Sequence, residues 1–248
     1  MIRAMIFDLD GTLVRTEWLK GLSYARAIQM LSPLTITTDE VMDFYKGIVG
    51  LSREETSSRL VDHFGLGDAA QSRLVEMQAQ YPWQVLARMR LQVYEEMLRD
   101  PGVLRSHQWP HTIDLLRSAR RNNCRTALAS MSRCEQVAYV LRTLELADQF
   151  DIILAREDVE HGKPDPEIYR LAARLLDVHP QECLVIEDSP VGVQAAVAAG
   201  MGCIAVATPL TQQGLRAQHT LAQRWVVHDA AQLSAIVEQR LRDPGSDV

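Results

Sequence analysis

Ala4-Met5-Ile6-Phe7-Asp8-Leu9-Asp10-Gly11-Thr12-Leu13 decides how the rest of the chain is read: four apolar residues halt at a carboxylate, a second carboxylate follows two positions on, and glycine and threonine come next. An apolar run this short, closed by turn formers, suits a buried strand. Runs of the same kind recur at 126–129, 151–155, 183–186 and 203–207. Helical spacing lies between them. Residues 111–122 place Ile113, Leu115, Leu116 and Ala119 on one face, and 136–146 do the same with Val137, Val140, Leu141 and Leu144. Segments 166–177 and 191–199 follow, the last stopped by Gly200. Strands with continuous rather than alternating hydrophobicity, separated by helices, predict a parallel sheet covered on both faces.

The stretch between the first strand and the second reads differently. Helices are predicted over 17–31, 38–46, 53–64, 68–80 and 84–99, with turns at Gly65-Leu66-Gly67, Tyr81-Pro82-Trp83 and Pro101-Gly102. The expected architecture is therefore an α/β core with a Rossmann-like parallel sheet, built from 1–14 and 102–248, with an all-helical domain, 15–101, inserted after strand one. One more short helix is expected beyond Ser234, then a frayed end at Asp243-Pro244-Gly245-Ser246.

Composition sets the outer bounds. The chain has 248 residues, 47% apolar and 23% charged, enough to bury a substantial core. Its net charge of −6 argues against general affinity for nucleic-acid backbone. No apolar run has the length of a membrane span, and the N-terminus meets Asp8 too soon for an export signal, so a cytoplasmic protein is expected, a monomer or weak dimer. Cys124, Cys134, Cys183 and Cys203 form no CxxC pair and read as reduced, apolar fillers. Lysine is scarce: only Lys20, Lys46 and Lys163, against 23 arginines among the 26 basic residues.

Polar residues fall at the strand ends. Asp8 follows strand one, Ser130 strand two, and Glu187-Asp188 the run 184–186, while Lys163 sits in the loop Gly162-Lys163-Pro164-Asp165-Pro166 ahead of a helix. The carboxyl ends of parallel strands share one edge, so these groups converge there. Crowded carboxylates suit a hard cation such as Mg²⁺. A carboxylate can also attack phosphorus, with an ammonium and a hydroxyl binding the phosphoryl oxygens. A compact ammonium in a chain that otherwise favours arginine fits a site that needs a point charge.

Phe7-Asp8-Leu9-Asp10-Gly11-Thr12-Leu13 resembles the DxDGT signature of the haloacid dehalogenase superfamily. Ser130, Lys163 in its KPDP loop and Glu187-Asp188-Ser189 with Gly192 follow in that family's order. The helical insert resembles a subclass I cap, and the whole is most similar to the branch of beta-phosphoglucomutases and phosphoglycolate phosphatases. The resemblance implies Mg²⁺-dependent hydrolysis of a small phosphate monoester, such as a sugar phosphate, through a phospho-aspartate. Asp8 would be nucleophile and Mg²⁺ ligand. Asp10 would be general acid and then base, its backbone carbonyl also on the metal. Ser130 and Lys163 would hold the phosphoryl group, Gly11 and Thr12 would supply the turn and backbone donors, and Glu187 and Asp188 would complete the metal site.

In the insert, Gly50-Leu51-Ser52-Arg53 resembles a substrate-contacting cap loop, with Arg53 meeting a second phosphate; Ser52 with Glu55 also reads as a helix capping box. Lys20 stands where the mutase branch has a cap histidine, Val49 where it has a lysine, and Arg15 where it often has an acidic residue, departures that favour hydrolysis over phosphoryl return. A phosphomutase and a catalytically silent binding module on the same fold are the alternatives.

Overall fold

In the computed structural model, which describes residues 1–32 and 35–242, six strands form one parallel sheet. They are β1 (Ala4–Phe7), β2 (Arg125–Ala129), β3 (Ile152–Leu154), β4 (Cys183–Glu187), β5 (Gly202–Val206) and β6 (Val226–Val227), in the order β3-β2-β1-β4-β5-β6. The predicted strands are present, and β6 is an addition. The segment 243–246 lies outside the described residues.

The chain divides into two compact units, residues 1–15 with 104–248, and residues 16–103. Helices α1 (Thr16–Leu31), α2 (Thr38–Lys46), α3 (Arg53–His63), α4 (Gly67–Gln71) and α5 (Pro82–Leu98) belong to the second unit, where α1, α3 and α4 pack on α5 and α2 packs on α1. Next come α6 (Pro101–Ser106), α7 (Pro110–Arg121), α8 (Cys134–Thr143), α9 (Glu167–Leu176), α10 (Pro190–Ala198), α11 (Gln212–Ala217) and α12 (Leu233–Arg242).

Three predictions in the helical region fail, each for a physical reason. The helix expected over 68–80 stops after Gln71. Beyond it the backbone closes mostly short-range turns, Gln78 takes a left-handed φ of 51°, and the Arg88 guanidinium captures the carbonyls of Met77 and Gln78. The turns expected at Tyr81-Pro82-Trp83 and Pro101-Gly102 are helix starts. Pro82 and Pro101 each open a helix, where a missing N–H is harmless and a fixed φ already suits the first turn.

Side chains alternate across the sheet. Ala4, Ile6, Ala127, Ala129, Val185 and Ala205 pack with α9, α10 and Trp225 in one core. The alternate set Met5, Phe7, Leu128 and Ile186 is buried as well, so both faces are covered. Small residues on the first face let α9 and α10 approach closely.

Register positions the site. Phe7 pairs with Leu128 on one side and Ile186 on the other, so Asp8 emerges level with Ala129 and Glu187. From β1 the chain builds outward to β2 and β3, then returns to the opposite side of β1 as β4. The strand order thus reverses at β1/β4, the crevice where open parallel sheets bind ligands.

Candidate active site

Asp8 is the first residue past β1; its N–H donates to the Ile186 carbonyl (3.0 Å), which fixes its backbone against β4. The turn after it closes tightly. Gly11 has φ +94°, and a Cβ there would overlap the Asp188 carboxylate, so glycine is required both by the backbone and by the space. The Gly11 N–H donates to the Val14 carbonyl at 2.7 Å. That donor is engaged inside the turn, which Gly11 supplies as the sequence leads one to expect. The Thr12 hydroxyl is fully buried and has no hydrogen-bond partner among the described residues.

The Lys163 side chain is 4% exposed and spends its three N–H donors on Asp8 Oδ1 (2.7 Å), Glu187 Oε1 (2.6 Å) and the Ala129 carbonyl (3.0 Å). Its loop is tied down by Glu167, whose carboxylate accepts from the N–H groups of Glu160 and His161, and by the Gly162–Asp165 turn. Tyr169 of α9 adds a second support: its ring lies 4.9 Å from Nζ and its hydroxyl donates to Glu187 Oε1 at 2.9 Å.

Glu187 ends β4 with both oxygens occupied. Besides Lys163 and Tyr169 on Oε1, its Oε2 accepts from the N–H groups of Asp188 (2.8 Å) and Ser189 (2.9 Å) and from the Ser189 hydroxyl (3.0 Å). The same hydroxyl caps α10 by accepting from the Gly192 N–H at 3.1 Å. A Cβ on Gly192 would overlap the Glu187 carboxylate, so the first turn of α10 is open there to admit it.

On the other side of Asp8, the Asp10 carboxylate turns toward β2. Its Oδ2 accepts from the Ser132 hydroxyl (2.5 Å) and, at longer range, from the Ser130 hydroxyl (3.3 Å). Ser130 is fully buried at the end of β2, where its N–H donates to the Leu154 carbonyl.

Two carboxylates, Asp8 and Glu187, hold the one ammonium, and two more, Asp10 and Asp188, follow close behind them in the chain. Burial is the main force that pushes the Asp8 carboxyl up, to about 7, with Glu187 and Asp10 adding to it and Lys163 opposing. Burial also works to raise Glu187, yet Lys163 and the donors around it hold it below the usual range. Burial works against the charge on Lys163, and Asp8 and Glu187 overcome it, so the ammonium is held above its ordinary range. Asp8, Glu187 and Asp188, all buried, each offer an oxygen within 4.8 Å of the others, a group able to hold a metal ion.

The structure therefore gathers Asp8, Asp10, Ser130, Lys163, Glu187 and Asp188 at one edge. Ser52, Arg53 and Lys20 belong to the helical unit. Ser52 forms the capping box with Glu55 in both directions, Arg53 is the first residue of α3, and Lys20 is half-buried in α1. Sequence reasoning missed Ser132 and Tyr169. A second serine two places past Ser130 and a tyrosine on the apolar face of α9 were the available signals.

The match to known proteins agrees with this geometry. A model of the haloacid dehalogenase-like hydrolases matches residues 2–200. The chain belongs to that family. The phosphorylated carbohydrates phosphatase of Thermotoga maritima is 30% identical to this hydrolase over 202 residues, 81% of this chain and 82% of its own. The beta-phosphoglucomutase of Bacillus subtilis is 29% identical over 210 residues, 83% of each. Among solved structures, a beta-phosphoglucomutase from Clostridium difficile superposes on the hydrolase with a TM-score of 0.71 at 24% identity, covering 98% of this chain and all of that one, and shares the fold. Among the described residues, no helix is long and apolar enough to cross a membrane.

Proposed function

We propose that this hydrolase is a Mg²⁺-dependent phosphatase acting on small phosphate monoesters, sugar phosphates foremost, through a phospho-aspartate on Asp8. The observation that carries this reading is Asp8 itself, a buried carboxylate at the sheet's reversal point with Lys163 on Oδ1 and Asp188 and Glu187 beside it.

The donor set around Asp8 is entirely oxygen, which fits Mg²⁺. Asp8 and Asp188 would hold the ion with the Asp10 backbone carbonyl, and Glu187 closes the ring of carboxylates while anchoring Lys163. When bound, the ion supplies positive charge to neutralise the phosphoryl group and the carboxylates around it. Lys163 keeps one Asp8 oxygen in place and lowers its repulsion toward an incoming phosphate. Asp8 then attacks phosphorus, and the bond to the leaving oxygen breaks as Asp10 donates it a proton. Asp10, now ionised, takes a proton from water that attacks the phospho-aspartate and regenerates Asp8. Ser130, whose hydroxyl points at Asp10 Oδ2 without substrate, would turn that proton to a phosphoryl oxygen when substrate binds at the end of β2. We assign choice of substrate to the helical unit, where Lys20 and Arg53 are the cations to substitute first.

The phosphatase relative supports hydrolysis and the beta-phosphoglucomutase relative supports phosphoryl return as the second reading. Turnover of p-nitrophenyl phosphate with and without Mg²⁺, then of a panel of sugar phosphates, separates them. Mg²⁺-dependent release of inorganic phosphate is expected. Isomerised sugar phosphate with no net phosphate release overturns the hydrolase reading, and no turnover of any phosphate with Mg²⁺ present overturns both.

A further inference from the structure

Ser132 is not among the residues assigned to phosphate or metal, yet its hydroxyl lies closer to the proton-transfer residue than that of Ser130 does. Its hydroxyl is 2.5 Å from Asp10 Oδ2, and the residue is 6% exposed. Its own placement is rigid: the Ser132 N–H donates to the Ser130 hydroxyl at 3.0 Å, and its carbonyl accepts from the Arg156 N–H at 3.1 Å. One turn after β2 thus presents two hydroxyls to the same carboxylate oxygen, with Ser130 at 3.3 Å as the weaker donor.

We propose that Ser132 is the positioning residue of the acid/base step: its hydroxyl holds Oδ2 of Asp10 so that the transferred proton is carried on Oδ1. The inference rests on Asp10 acting as general acid and base. A hydroxyl aimed at Oδ2 can donate to it whether the carboxyl is protonated on Oδ1 or ionised, so the hydrogen bond survives both halves of the reaction. In the first transfer the O–H bond on Oδ1 breaks as the proton passes to the leaving oxygen, and the electron pair left on the carboxylate is shared with the Oδ2 that Ser132 already binds. In the second, Oδ1 takes a proton from the attacking water. A short, charge-assisted bond of this kind also removes the side-chain rotation that would carry Oδ1 away from the leaving group. Because the same turn carries Ser130, the grip on the phosphoryl group and the aim of the acid are built into one piece of backbone.

The leaving group provides the test. A phenolate that leaves readily needs little protonation, whereas a poor leaving group depends on the acid. Ser132→Val and Ser132→Thr have the same shape and differ in the hydroxyl, so comparing them cancels effects on packing. With p-nitrophenyl phosphate and phenyl phosphate as probes, Ser132→Val is expected to lose about tenfold or more in kcat/KM on phenyl phosphate and much less on p-nitrophenyl phosphate, with Ser132→Thr keeping the wild-type ratio. An equal loss on both probes, or none on either, overturns the proposal. Asp10→Asn on the same pair tells this failure from a failure of the underlying reading. If Asp10→Asn shows the leaving-group dependence and Ser132→Val does not, only the role of Ser132 is wrong. If neither shows it, Asp10 is not the acid.

Discussion

Lys163 and Glu187 are joined by a buried ion pair, Nζ to Oε1 at 2.6 Å, with both side chains at most 4% exposed. The pair links the loop before α9 to the end of β4, and it sets the third charge, Asp8, in line through the same ammonium. Without Lys163, three buried carboxylates would face one another. Lys163→Met is expected to destabilise the protein by about 3–5 kcal/mol, the usual cost of leaving buried charges unpaired, and to abolish turnover. Denaturant unfolding checks the first and phosphate release the second. Tyr169→Phe removes only one of five donors to Glu187 and is expected to cost about 1 kcal/mol.

The pH dependence follows from Asp8. Its carboxyl rises from 3.8 to about 7 on folding, so between those values the folded chain keeps a proton that the unfolded chain has released. The contribution is complete below 3.8 and lost as pH rises through about 7. In metal-free buffer, this group lowers the Tm across that window. Asp8→Asn is expected to flatten the decline and to be the more stable protein at pH 8. Thermal unfolding of both proteins in a chelator measures it, and an unchanged slope in Asp8→Asn contradicts the origin assigned here.

A cation held by this cluster stabilises the folded state only. Mg²⁺ at a hundredfold excess over its Kd is expected to add about 2.7 kcal/mol at pH 8. Asp188→Asn is expected to lose most of that gain while keeping its fold, since Glu187 rather than Asp188 anchors Lys163 and caps the turn. Titration calorimetry with Mg²⁺ alone reads the difference, and equal affinity in the two proteins would remove Asp188 from the metal site.

Ser52 separates a structural role from a substrate role. Its hydroxyl accepts from the Glu55 N–H while the Glu55 carboxylate accepts from the Ser52 N–H and hydroxyl. Ser52→Ala is expected to cost about 1 kcal/mol through the lost cap and to leave KM unchanged. A raised KM without a loss of stability would return Ser52 to the substrate.

Much of this site is legible in the sequence because each group sits where an apolar run stops. Asp8, Ser130 and Glu187 end strands whose register is set by burial on both faces, so their convergence follows from a parallel sheet alone. Ser132 carries no such mark, since a turn has no period and its partner lies over a hundred residues away. Tyr169 reads as core on the apolar face of α9; only the structure shows its hydroxyl reaching Glu187. In the helical unit, Ala69, Ala70, Leu74 and Glu76 favour a helix, yet α4 ends at Gln71 and the chain goes on in short turns to the Met77 and Gln78 carbonyls that Arg88 holds. The two-residue β6 offers too few positions for any pattern.

Trapping the covalent intermediate tests the central claim most directly. The protein is mixed with p-nitrophenyl phosphate and Mg²⁺, quenched in acid within a turnover, and its peptides are mapped by mass. A single phosphoryl group on the peptide that carries Asp8, absent from Asp8→Asn, is the predicted result. Turnover with no phosphorylated peptide, or with the phosphoryl group on another residue, contradicts Asp8 as the nucleophile.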